Sequence, residues 1–405
     1  MDLYSGQPWW IIKNPLWDYY NPLGRNIRKR VAVVGSGITG ALVAHELCEA
    51  GIECCVIDKR SPSTGSSVAS TALLQYEIDI PLYQMAEKMP VEDAVIAYHS
   101  CLQSIGELES LLKKARVDAG FTYVPSVYYA SNHKGMRELV KEYEMRTEYG
   151  FPAKLLRRKE LKTLIGIDAP GALANHVSAQ VDTYRAATGL LGRHIKRDDL
   201  ELYTHTEITG WEKMGGGYIL RTAQGNTIEC EYVVIATGFE AMPFLPEKLM
   251  DLTTTFAIIS EPVDEKYIWY GKSLLWETRQ PYLYIRTDDR NRIIVGGEDI
   301  PYNSTAARKF LLDKKAGILE SKFRKLFPSI PFVTEMSWAG TFSSTKDGLP
   351  LIGPAAGDPN MLFALGYGGN GITFSVIAAQ ILSKYIGGVE DSRAHVFGLE
   401  RESLK

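Results

Sequence analysis

Two clusters of closely spaced glycines, at opposite ends of the chain, carry its clearest chemical potential. Near the start, an apolar run over residues 31–34 leads into GSGITG, where Gly35, Gly37 and Gly40 are separated by Ser36, Ile38 and Thr39. A helical pattern follows, with Ile38, Leu42 and Leu47 beside small Ala41, Ala44 and Cys48; after Gly51 a second apolar run ends on Asp58. Strand, tight turn, helix, strand and acid is the arrangement that holds a dinucleotide. Gly35 permits the sharp turn, Gly37 lets a pyrophosphate approach the backbone, and Gly40 lets helix and strand pack closely. Free N–H groups at the helix start attract phosphate. Asp58, 18 residues past Gly40, can accept from ribose hydroxyls.

The second cluster, Gly366, Gly368, Gly369 and Gly371, brackets Tyr367 and Asn370 directly before an apolar helix that begins Ile372–Thr373. Such glycines let backbone approach a planar ligand, and the helix start presents positive charge. A reduced flavin carries negative charge near N1 and the C2 carbonyl oxygen, which a helix dipole stabilises; a nicotinamide has no such need. Two glycine-rich helix starts therefore favour FAD. Between them, the hydroxyl-rich loop over residues 61–71 offers serine and threonine donors that can reach the pyrophosphate. The apolar strand over residues 232–236 ends in Ala236, Thr237 and Gly238, which places backbone at the carboxyl edge of a sheet, where α/β sites lie.

The elements that must position these residues read as follows. Helices are expected over 92–114, 135–149, 159–164, from about 181, over 306–327 and over 372–386, with strands over 123–130, 202–211, 218–222 and 232–236. Strand signals dominate 252–297 (TTTFAIISE, SLLWET, PYLYIRT, RIIVGGE) and predict an antiparallel sheet with aromatics on alternate positions. Residues 1–29 read as an arm: Trp9, Trp10, Trp17, Tyr19 and Tyr20 alternate with Pro8, Pro15 and Pro22, as in an extended segment laid over a surface. With 405 residues the chain suits two intertwined domains. Its 45 basic and 48 acidic residues give no hint of nucleic-acid binding. The five cysteines form no metal-ligand pattern, so no metal site is expected, and they read as buried thiols of a reducing compartment. No run approaches the ~18 apolar residues of a membrane span, and with no signal-peptide pattern a cytoplasmic location is expected.

With these pieces assembled, the chain resembles the FAD-dependent oxidoreductases of the D-amino-acid oxidase superfamily, especially the glycine oxidase and sarcosine oxidase branch. The likeness rests on GSGITG with Asp58, GSSVASTALLQ, the VDTY segment, YVVIATG, and WAGTFSSTKDGLPLIG followed by GYGGNGI. It implies an α/β fold in which a Rossmann-like FAD domain of the glutathione-reductase type interleaves with a substrate domain built on a large antiparallel sheet. The implied boundaries are 30–100, 158–240 and 335–405 for the FAD domain, and 101–157 with 241–334 for the substrate domain. By position, Asp58 and Lys59 would meet the adenosine ribose, Ser66 and Ser67 the pyrophosphate, and Ile208 the adenine. Thr71, Ala72 and Leu73 would line the flavin ring, and residues 367–373 would hold its pyrimidine end.

The implied reaction is oxidation of a C–N bond in a small amine or amino acid: hydride passes to flavin N5, and the imine is hydrolysed. Flavin and positioning do most of this work, so no dedicated side-chain base is required. The departures are specific. Phe342 stands where glycine oxidases place a carboxylate-clamping arginine, and Gly369 where they place a second basic residue. Only Ile293, Ile294 and Val295 occupy the strand that carries the oxygen-promoting lysine of sarcosine oxidases, so an electron-acceptor partner other than oxygen stands beside it. No cysteine falls within 336–350, so FAD is expected to be noncovalent. Tyr282, Tyr284 and Phe342 are the expected pocket walls, with Leu73 and Gln75 below and Arg286 as an anchor. The alternatives are a flavin-free binding protein on the same scaffold, as in the Rab GDP-dissociation inhibitors, and an NAD-dependent dehydrogenase.

Overall fold

The computed structural model describes residues 3–15, 20–245, 249–302 and 304–404. Trp17 and Tyr19 of the arm lie outside them. Strand Ile27–Val34 sits at the centre of a parallel set, flanked by Cys54–Ile57 on one side and Thr227–Ile235 on the other. Glu201–Tyr203 and Asp358–Leu365 extend the set outwards. Residues 31–34 and 54–57 are apolar without alternation because both faces of this sheet are covered. On its other edge Thr227–Ile235 serves two partners: its first half pairs antiparallel with Gly217–Thr222, its last residues parallel with 361–363.

Helix Ile38–Glu49 packs against Gly371–Ile386 and Thr183–Lys196, with small Ala41, Ala44, Ala378 and Ala379 fully buried at close approach. Helix Val91–Ala115 lies against Gly371–Ile386 as well. The expected domain break at residue 100 therefore falls inside one continuous helix, whose Ala94, Ala97, Cys101 and Ile105 share the core of the last helix.

The second sheet has nine strands, in the order Tyr4–Gly6, Thr334–Ser344, Asp251–Ser260, Ile293–Pro301, Tyr284–Thr287, Leu274–Glu277, Ser126–Tyr129, Gly171–Asn175 and Lys154–Arg157. Every pair is antiparallel except Leu274–Glu277 with Ser126–Tyr129. Two of its strands, Thr334–Ser344 and Gly171–Asn175, come from segments assigned by resemblance to the other domain; ladder pairing along Asp251–Ser260 and Ser126–Tyr129 draws them here. Helix Thr305–Leu326 covers one face through Leu319 and Phe323.

The arm is more than a surface strap. Tyr4–Gly6 pairs with Thr334–Ser344, and a short helix, Trp9–Lys13, buries Trp9 and Trp10. Buried Arg308 donates to Leu3 O (3.1 Å), Tyr4 O (2.9 Å) and Ser5 Oγ (2.9 Å). A three-stranded ribbon, Leu73–Leu74, Ala179–Gln180 and Thr122–Tyr123, joins the two halves. Among the described residues no helix is long and apolar enough to cross a membrane.

Candidate active site

A cavity of about 480 Å³ lies between the carboxyl ends of the parallel strands and the nine-stranded sheet. At the first turn Gly35 holds φ at 110°, and a Cβ there would stand 2.5 Å from Ala236 O. A Cβ on Gly40 would fall 1.8 Å from Gly35 O, so helix and turn can meet only without one. A Cβ on Gly37 would meet Ser67 Oγ at 3.0 Å, on the open side of the turn. Ser67 Oγ already accepts from the Ile38 N–H at 3.0 Å, bringing loop and helix start together. Asp58 accepts from Ser36 N–H and Oγ, both at 2.7 Å, and from Arg60 N–H at 2.8 Å. Beside it Lys59 and Arg60 converge on Glu240, whose carboxyl they hold below its usual range despite burial. Trp211 stacks on Phe244 at 4.6 Å next to Ile208.

The loop facing the middle of the cavity is clamped from behind through consecutive carbonyls. Trp338 Nε1 donates to Ala69 O (2.9 Å) and Trp10 Nε1 to Ser70 O (2.7 Å). Arg286 then donates to Thr71 O (3.0 Å) and Ala72 O (2.8 Å), with the Trp10 ring 5.5 Å away. Ala72 is held at φ 55°, a conformation that persists only under such constraint. Arg286 was expected as a substrate anchor; its Nε and Nη1 instead donate to backbone, and it does not line the cavity. Burial pushes its pKa down to about 10, against the pull of Asp288, Asp182 and Asp289.

At the far end, Tyr284, Thr255, Asp299 and Phe342 of the nine-stranded sheet form the wall with Tyr282, which precedes the strand of Tyr284. A bulge opposite Thr255 creates it. Gly296 leaves room for the Tyr284 ring, which a Cβ would meet at 2.2 Å; Gly297 takes φ 136° and Glu298 φ 59°. Glu298 is thereby aimed outwards at Lys315 (2.8 Å) and Lys322 (2.5 Å), while Asp299 faces the cavity. Asp299 Oδ1 is buried with no hydrogen-bond partner. Burial pushes its pKa up to about 6 against the Thr255 hydroxyl, and Asp79 and Glu298 push the same way. Asp79 accepts from Gly369 N–H (2.8 Å) and Tyr282 OH (3.1 Å). It is open to solvent in a recess crowded by protein, and that crowding raises its carboxyl above the usual range.

Of the residues singled out from sequence, Gly35, Gly37, Ile38, Thr39, Asp58, Lys59, Ser66, Ser67, Thr71, Ala72, Leu73, Gln75 and Ile208 line the cavity. So do Ala236, Thr237, Gly238, Tyr282, Tyr284, Phe342, Tyr367, Gly368, Gly369, Gly371 and Ile372. Ser36, Gly40, Asn370, Thr373 and Arg286 do not. Ser36 turns to Asp58, Asn370 ties its amide to Gln75 O (3.2 Å) and Glu77 O (2.9 Å), and Thr373 bonds back to Asn370 O. Asp299, Thr255, Trp211, Arg60 and Glu240 were missed. The paired glycines before Glu298 were the available signal for Asp299, since glycine inside a strand marks a bulge.

The fold also assembles what cysteine spacing could not reveal. Cys48, His194 and Asp199 bring potential ligand atoms within 4.8 Å of one another, away from the cavity. His194 bonds Asp199 and His45, each at 2.8 Å.

The cavity fits FAD. One continuous space joins both glycine turns, a Cβ at Gly37 would intrude on it, and the buried Thr237 hydroxyl that lines it lacks a protein partner. Comparisons with known proteins agree. Gamma-glutamylputrescine oxidoreductase of Escherichia coli (strain K12) is 25% identical over 384 residues, 91% of this chain and 86% of that protein. The crystal structure of glycine oxidase from Geobacillus kaustophilus superposes with a TM-score of 0.76 at 21% identity, covering 93% of this chain and 99% of that one. L-proline dehydrogenase from P. horikoshii gives 0.74 at 19% identity, over 91% and 95%. The family model described as FAD dependent oxidoreductase (DAO) matches residues 30–385, and the chain belongs to that family.

Proposed function

We propose that this FAD-dependent oxidoreductase oxidises a C–N bond of an amine or amino acid, giving an imine that water hydrolyses. A bound flavin would supply the redox chemistry, as the two-electron acceptor for the substrate's C–H bond. The observation that carries this reading is the single cavity running from the two glycine turns to a tyrosine-walled chamber. The names of the E. coli relative and of the glycine oxidases point to amino compounds as the substrate class.

The chain's own residues position and exclude. Asp58 with Lys59, and the stacked Trp211–Phe244 pair near Ile208, would hold the adenosine end; Ser66, Ser67 and the start of helix Ile38–Glu49 would meet the pyrophosphate. Residues 71–73, clamped by Trp10 and Arg286, would support the ring against the start of helix Gly371–Ile386. Tyr282, Tyr284 and Phe342 would close over the substrate, orient its reacting carbon and displace water.

Anaerobic titration of the purified protein tests this. A yellow protein whose flavin is bleached by at least one amine or amino acid is expected. A protein that stays colourless after FAD is added, or whose flavin resists every amino compound, overturns the reading. Admitting air afterwards tells whether oxygen or another carrier accepts the electrons.

A further inference from the structure

The substrate end of the cavity is anionic. Asp299 is turned into it by the bulge after Gly297, and one of its oxygens has no partner. Asp79 adds a second carboxylate behind Tyr282 and Gly369. Among the described lining residues the only lysine and arginine are Lys59 and Arg60, both at the adenosine end and both tied to Glu240. Arg286, the nearby cation of the sheet, spends its donors on backbone carbonyls. Phe342, on the same wall, is apolar.

Building on the proposed C–N oxidation, we propose that the chamber selects a polycationic amine: a diamine or polyamine with a second ammonium group and no carboxylate beside the oxidised carbon. Asp299 is its specificity-determining residue. An ammonium brings three donors to a carboxylate that lacks one, in a site where charge-assisted hydrogen bonds are strong. The faces of Tyr282 and Tyr284 add favourable surface for a cation. An α-amino acid would instead set its carboxylate against Asp299, at an end of the cavity that no lysine or arginine lines. The same bulge sends Glu298 out to two lysines and leaves its neighbour facing inwards.

The test uses anaerobic flavin bleaching by the holoenzyme with 1,4-diaminobutane, spermidine, butylamine, 4-aminobutyrate and glycine. The diamine or spermidine is expected to half-saturate at a concentration about tenfold or more below butylamine, with both carboxylates weakest. Asp299→Asn should raise half-saturation by the polycation about tenfold and by butylamine by a smaller factor, while Asp299→Glu restores most of the affinity. If glycine or 4-aminobutyrate bleaches the flavin at least as readily as the polycations, the charge selection is wrong but C–N oxidation stands. If none of the probes bleaches bound flavin, the charge selection fails, and the wider panel of amino compounds decides whether C–N oxidation stands. The ranking of probes on the unmodified enzyme decides even if a variant does not fold.

Discussion

Asp299 is the residue where the cost of the site is concentrated. Its carboxyl ionises near 3.8 in water and near 6 in the fold, with burial as the main cause. Asp79 and Glu298 reinforce that shift, Lys315 and the Thr255 hydroxyl oppose it, and the phenols of Tyr282 and Tyr284 are raised and stay neutral. A folded pKa above the unfolded one means that the proton favours the fold. The contribution is complete below pH 4, declines between 4 and 6, and is gone above. Relative to Asp299→Asn, the wild-type protein should therefore lose on the order of 2–3 kcal/mol of stability across that window. Denaturant unfolding of both proteins at pH 4, 5, 6 and 7 measures it. A flat difference would place Asp299 in solvent-like surroundings. Above pH 6 the ionised group is left wanting a cation, which is the state a polycationic ligand meets.

At the scale of elements, the arm matters in a way its aromatic and proline content could not convey. Tyr4–Gly6 completes an edge of the nine-stranded sheet, Leu3 lines the cavity, and Trp10 grips the carbonyl before the flavin-facing segment. Deleting residues 1–8 strips three acceptors from buried Arg308, and each lost bond to a buried charge costs about 1–3 kcal/mol. Such a truncation should lower stability by roughly 3 kcal/mol or more and release flavin; an unchanged unfolding midpoint and flavin content would make the arm a surface appendage. Local elements were legible in the sequence because their signals are local: the βαβ turn, the final glycine turn and its helix, and the strands of 252–297. Illegible were pairings between distant segments. Nothing near Arg286 announces that its donors belong to Thr71 and Ala72, 215 and 214 residues away. Likewise His194 meets His45 across 149 residues. Edge pairing of the arm with Thr334–Ser344, and the docking of Val91–Ala115 on the last helix, moved the domain boundaries for the same reason.

For the whole molecule, the cavity is the seam between two sheets, and what bridges the seam sets how they unfold. The protein supplies some bridges itself: the ribbon around Ala179–Gln180, and the buried Arg146, which bonds Glu142 at 2.7 Å and Glu77 at 3.3 Å while Asn370 holds Glu77 O. A bound flavin would add contacts from both sides at once. Because it binds only the folded state, FAD at a thousandfold excess over its dissociation constant should raise stability by about 4 kcal/mol, with a single shared transition. Gly37 provides the control. Its φ of −69° is ordinary, so Gly37→Val should keep the fold while filling the space beside Ser67, remain colourless and show no shift with FAD. Gly40→Val differs, because its Cβ would collide with Gly35 O and destabilise the protein with or without cofactor. Thermal unfolding of the three proteins with and without FAD separates the two roles. If Gly37→Val retains the FAD-induced shift, the pyrophosphate lies elsewhere than the first turn, and the flavin bridges the seam without it.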